Sequence, residues 1–333
     1  MGDWDGVGLL RGGDVAQVRA RLAAGADPLA PCWQGGRTML HETAESASPA
    51  VVAAMARAAH DLDRPADGRS ALWLAVHAGR ADNARVLADA GADPWLPMMA
   101  GWSPGRLSLA GPEPALFTGR PADVALTPAE AGVAARAPRL RATFTGIHLE
   151  GTGLLSVAGI DTADVVRRLH ATTATEDDLL TRYDVEVDED FDPDADPDAW
   201  RWLEDIHDPL LIGGTDVPGG CVLTQPWGYQ PQTLVVGRAV SAGTIAYGLF
   251  ANPKSGNQGS VFTDAPTPAR DLHPGGEPWE DATPDEILLS YLYRGTPAAY
   301  ACAYVGLEPR SARPVTGPPD TWMLVPERDP EHR

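Results

Sequence analysis

The chain has 333 residues, 44% of them hydrophobic, enough to bury a core in each of two domains and too many for wholesale disorder. Its formal charge of −20 is uneven, with −2 on residues 1–112 and −18 on residues 113–333. That balance repels nucleic acid and attracts a basic protein partner. With no apolar run near the roughly 18 residues of a membrane span and no cationic leader ahead of an apolar segment, a cytoplasmic protein that engages neither membrane nor nucleic acid is expected.

The first third repeats itself. Gly25-Ala26-Asp27-Pro28 returns as Gly91-Ala92-Asp93-Pro94, and between the copies Gly36-Arg37-Thr38-Met39-Leu40-His41 aligns with Gly68-Arg69-Ser70-Ala71-Leu72-Trp73. Gly101-Trp102-Ser103-Pro104 follows at the next register. The Thr or Ser is suited to cap a helix start, the Leu to fill a core, and the Gly of G-A-D to end a helix at positive φ. Residues 9–110 thus resemble the ankyrin family, whose repeats open on G-x-T-P-L-H and close on G-A-D. The resemblance implies an all-α solenoid that binds a protein partner. It places Trp33, Gln34 and Arg37 on one finger, and Trp95, Met98, Met99 and Trp102 on another. Glu42, Glu45, Leu74 and His77 fall on the inner helices. His41 reads as structural, bonding within its own turn.

Loop chemistry replaces the repeat at Gly111-Pro112-Glu113-Pro114, and Thr127-Pro128-Ala129-Glu130 opens a capped helix that runs to about Arg136. Beyond it, Leu154–Gly159 reads as a strand and Asp161–Leu169 as a capped helix. Further strands are expected at Cys221–Thr224, Thr244–Leu249 and Trp322–Val325, with helices at Pro231–Ser241, Pro284–Tyr293 and Thr296–Val305. The segments Val157–Leu169, Gln225–Gln230 and Val240–Thr244 resemble a domain family of unknown function from high-GC bacteria, which brings no activity with it. The fold expected is therefore multidomain: an ankyrin stack over 1–111, a linker and capping helix over 112–142, and an acidic α+β domain over 143–333.

Catalytic signatures are sparse. The acidic run Asp188–Asp198 lacks the Gly and Glu of a calcium loop, and Asn252–Ser260, holding the only lysine, Lys254, reads as a hairpin rather than a phosphate loop. No G-x-S-x-G or H-E-x-x-H occurs, and His148, His170, His207 and His273 stand singly. Trp200, Trp202, Trp227 and Tyr229 suit core packing better than a pocket lining. Cys32, Cys221 and Cys302, odd in number and without C-x-x-C spacing, read as apolar fillers. No cofactor, metal or catalytic residue is assigned. The expectation is a protein-interaction protein with a regulatory or immunity-like role toward a basic partner; the alternative is an enzyme or small-ligand pocket in the second domain.

Overall fold

A computed structural model describes residue 4 and residues 14–32, 36–184, 208–265, 268–271 and 274–326. In chain order its α-helices are α1 (Val15–Ala23), α2 (Met39–Ser46), α3 (Pro49–Ala58), α4 (Ala71–His77), α5 (Ala81–Asp89), α6 (Pro104–Ser108), α7 (Pro128–Phe144), α8 (Thr162–Leu169), α9 (Glu176–Tyr183), α10 (Leu234–Ser241), α11 (Pro284–Leu292), α12 (Pro297–Tyr304) and α13 (Arg313–Thr316). The strands are β1 (Gly153–Ala158), β2 (Thr172–Ala174), β3 (Leu211–Val217), β4 (Gly220–Gln225), β5 (Ala246–Asn252), β6 (Gly256–Phe262), β7 (Ala269–Asp271) and β8 (Thr321–Leu324). Two compact units result: Met1–Ala135 with Glu277–Leu292, and Arg136–Gly276 with Tyr293–Arg333.

The first unit is helical. Asp14 accepts from Ala16 N at 2.8 Å, Ser70 from Trp73 N at 3.2 Å and Ser103 from Arg106 N at 3.1 Å, satisfying amides that no helix carbonyl can reach. At α2 the ring of His41 shares this work, its Nδ1 accepting from Thr38 N at 3.3 Å. Nε2 then carries the proton and faces the carbonyls of Arg64 and Arg69 at 3.1 and 3.2 Å. Burial pushes the His41 pKa down to about 4, so the ring stays neutral in its own turn. Leu40, Leu72, Leu87 and Leu107 fill the space between the helices. Trp73 Nε1 donates to Trp102 O at 3.1 Å, and Trp102 Nε1 donates to Pro284 O at 3.0 Å, which ties α11 into this core.

The second unit is built on one antiparallel sheet in the order β2-β8-β3-β4-β1-β5-β6-β7. Alternation along β1 sorts its two faces. Leu155 and Val157 join Leu223, Val165, Leu169, Val236 and Val240 in the core beneath α8 and α10. Ser156 lies on the other face, 3.6 Å from Cys302 of α12, beside Tyr247, whose ring meets those of Tyr300 and Tyr304 at 5.6 and 4.8 Å. Residues Asn252–Ser260 form the β5–β6 hairpin, Asn252 Oδ1 accepting from Lys254 N at 2.8 Å. No helix among the described residues is long and apolar enough to cross a membrane.

Two expectations need correction. The protein is not an all-α solenoid followed by another domain: its fold is α+β, with helices and an eight-stranded antiparallel sheet. The helical unit also recruits α11 from beyond most of the sheet, so it is not a run of tandem repeats. The helix expected to stop near Arg136 continues through Pro138 to Phe144. A proline inside a helix costs about 3 kcal/mol, whereas burial of Leu140 and Phe144, one turn apart, returns roughly 1.5–3 kcal/mol each.

Candidate functional site

The residues singled out in the helical unit fall into two arrangements. The first is an ion network. Glu42 and Glu45 stand three apart on α2 and share a face, and Arg37, just ahead of the Thr38 cap, turns back onto both. Its Nε lies 2.9 Å from Glu42 Oε1, another guanidinium nitrogen pairs with Glu45, and a third lies 3.0 Å from Glu277 Oε2. Arg69, which precedes the Ser70 cap of α4 as Arg37 precedes Thr38, meets the same Glu277 oxygen at 3.1 Å, with Asp67 at 3.7 Å. It also donates to Pro278 O at 3.2 Å. Two helix starts thereby grip one loop.

The electrostatics follow from that crowding. Burial works against the charge of Arg37, but Glu277, Glu45 and Glu42 outweigh it and hold the guanidinium charged. Burial, and then the Glu277 charge, raise the Glu45 pKa to about 7. Burial would also raise Glu277, yet Arg37 and then Arg69 hold it below the usual carboxylate range. Of the two carboxyls, Glu45 is therefore the more readily protonated and Glu277 the one held ionised. A raised folded-state pKa stabilises below the unfolded value and loses that contribution as pH rises through the folded value. Stability should therefore fall between about pH 4.5 and 7 as Glu45 ionises. Glu277 acts in the opposite sense, losing its contribution only as pH falls below the usual carboxylate range. Glu45→Gln is expected to flatten the fall from about pH 4.5 to 7 in urea denaturation; an unchanged slope would remove Glu45 as its cause.

His77 sits at the end of α4, stacked on Trp73 at 5.0 Å, with Nε2 3.1 Å from Ser290 Oγ. Since Ser290 donates its hydroxyl hydrogen to Ile287 O at 2.8 Å, His77 Nε2 is the donor. Its role here is to hold α11.

The second arrangement is an open groove of about 380 Å³. Leu96, Pro97, Met98 and Met99 line it with Pro65 and Gly68, and among the described residues Asp63 and Glu280 supply its charges. Leu96 is 36% exposed, and Trp279, next in the chain to Glu280, is 49% exposed. The neighbouring tryptophans face inward. Trp95 packs on Gly105, where a Cβ would lie 2.4 Å from its ring, and donates to Thr118 O at 3.2 Å. Trp102 is fully buried, and Met99 nearly so. Trp33 and Gln34 lie outside the described residues, as do the acidic run 188–198, Trp200, Trp202, His207 and His273.

Of the residues picked from the sequence, Arg37, Glu42 and Glu45 converge in the network, His77 helps seat α11, and Met98 lines the groove. Arg69, Glu277, Asp63, Leu96 and Glu280 were not picked. Arg69 could have been, because it occupies the same place ahead of a cap as Arg37. In the second unit, Trp227 and Tyr229, read as core residues, are 49% and 61% exposed.

No protein-family model matches the chain, and no curated protein matches it. The resemblances to ankyrin repeats and to a high-GC bacterial domain family therefore do not hold as family assignments. The shared G-x-[ST]-x-L and G-A-D strings encode a helix cap, a core leucine and a helix stop, which any packed helical hairpin needs.

Proposed function

We propose that the helical unit is a recognition module that holds a segment of another protein in the groove of Leu96, Pro97 and Met98. The observation that carries this reading is the convergence of exposed Leu96 with Met98 on an open, mainly apolar groove. Methionine adapts its shape to a partner, and apolar surface removed from water on binding contributes favourably. The ion network supports the reading: it fixes Glu277 and Pro278, just ahead of the groove residue Glu280 in the chain, to the starts of α2 and α4.

The test is a selection of random displayed peptides on the intact chain, repeated on Leu96→Asn, which removes the apolar anchor without adding charge. The peptides enriched on the native chain should bind the variant at least about tenfold more weakly, since a polar amide on an apolar anchor costs about 1.4 kcal/mol or more. Equal binding to both chains would place recognition elsewhere.

A further inference from the structure

We infer that the segment this groove accepts presents an arginine or lysine side chain, its aliphatic stem against Leu96 and Met98 and its charge against Asp63 and Glu280. The inference rests on the recognition reading above and specifies its partner.

The argument is charge complementarity in an otherwise apolar groove. Among the described residues, those lining it include two carboxylates and no cation. Elsewhere in this unit arginine pairing is common: Glu42, Glu45 and Glu277 share Arg37, Asp67 meets Arg69, Glu113 meets Arg85 and Glu130 meets Arg106. Among the described residues, neither Asp63 nor Glu280 has an ion-pair partner, and the exposed Arg64 beside Asp63 pairs with neither. Asp63 is further crowded by its own sign. It accepts from Asp93 N at 3.0 Å, and burial, with the Asp93 and Asp61 charges adding to it, raises its pKa. A cation arriving there relieves repulsion as well as gaining attraction. Arginine and lysine also carry three or four methylenes that cover apolar surface while the head stays polar. A neutral apolar segment would leave both carboxylates uncompensated at the edge of a dried contact, and an acidic one would add to the repulsion. The charge of the chain as a whole, −20, favours the encounter with a basic partner from a distance.

The peptides selected on the intact chain provide the probe. One is synthesised with its arginine and again with citrulline, which keeps the shape and removes the charge, or with glutamine in place of lysine. Affinity for the cationic peptide should exceed that for the neutral one by about tenfold at low salt, and the gap should narrow as salt rises. Asp63→Asn and Glu280→Gln should each weaken the cationic peptide several-fold and leave the neutral peptide unchanged. Selected peptides without a cation, or equal affinity for the charged and neutral forms, would overturn the inference; if Leu96→Asn still abolished their binding, the groove reading would survive. Peptides insensitive to Leu96→Asn, or no enrichment over that variant, would overturn both.

Discussion

Arg37→Met is expected to lower the stability of the helical unit by roughly 3 kcal/mol, the scale seen when one member of a largely buried ion network is removed. Three carboxylates, Glu42, Glu45 and Glu277, would lose the guanidinium that holds them together. Arg69 would be left to hold Glu277 without help. These side chains are too enclosed for water to replace the lost pairing, with Glu45 at 14% and Glu42 at 19% exposure. The loss should shrink in acid, where the orphaned carboxylates take up protons. Arg37→Lys should recover only part of it, because a single ammonium cannot fork toward three partners. Urea denaturation at neutral and acid pH measures both effects; a neutral-pH loss under about 0.5 kcal/mol would reduce the network to decoration.

Trp102→Ala carries the second large effect, about 4 kcal/mol for an emptied aromatic site. The ring is fully buried, and Arg106 stacks over it with its guanidinium carbon 4.0 Å from the ring centroid. Its N–H holds the carbonyl of Pro284, the first residue of α11. The damage should therefore not be uniform. Hydrogen exchange in Pro284–Leu292 is expected to accelerate more than in α3, which lies far along the chain from this contact. Trp102→Phe separates the terms: it retains most of the packing but removes the ring's hydrogen bond to the Pro284 carbonyl, at a cost of about 0.5–1.5 kcal/mol. Uniform acceleration across the unit would mean that Trp102 supports the core without anchoring α11.

Local grammar was legible in the sequence. The Asp161 cap, the Thr127-Pro128-x-Glu130 helix start and the apolar run of β1 all appear where residue chemistry puts them. The same grammar misled at the next level up. Caps, leucines and glycine stops recur wherever short helices pack in pairs, so their repetition was read as a family when it carried only a requirement for helix hairpins. The long-range features had no local signal. Strand β3, with Gly213-Gly214-Thr215-Asp216 at its centre, has little apolar alternation, and β2 and β7 are three residues each. Within the ion network, Arg37, Glu42 and Glu45 could be joined by helix periodicity. Glu277, 240 residues from Arg37, could not. The groove has the same origin: Asp63, Leu96 and Glu280 come from three distant segments, and only the fold makes them neighbours.

The most direct test of the central claim is hydrogen exchange on the intact chain with and without a saturating selected peptide. Protection confined to residues 63–68, 96–99 and the stretch around Glu280 is the expected result, since those segments line the groove. Protection concentrated in the sheet, with those three segments unchanged, would contradict it.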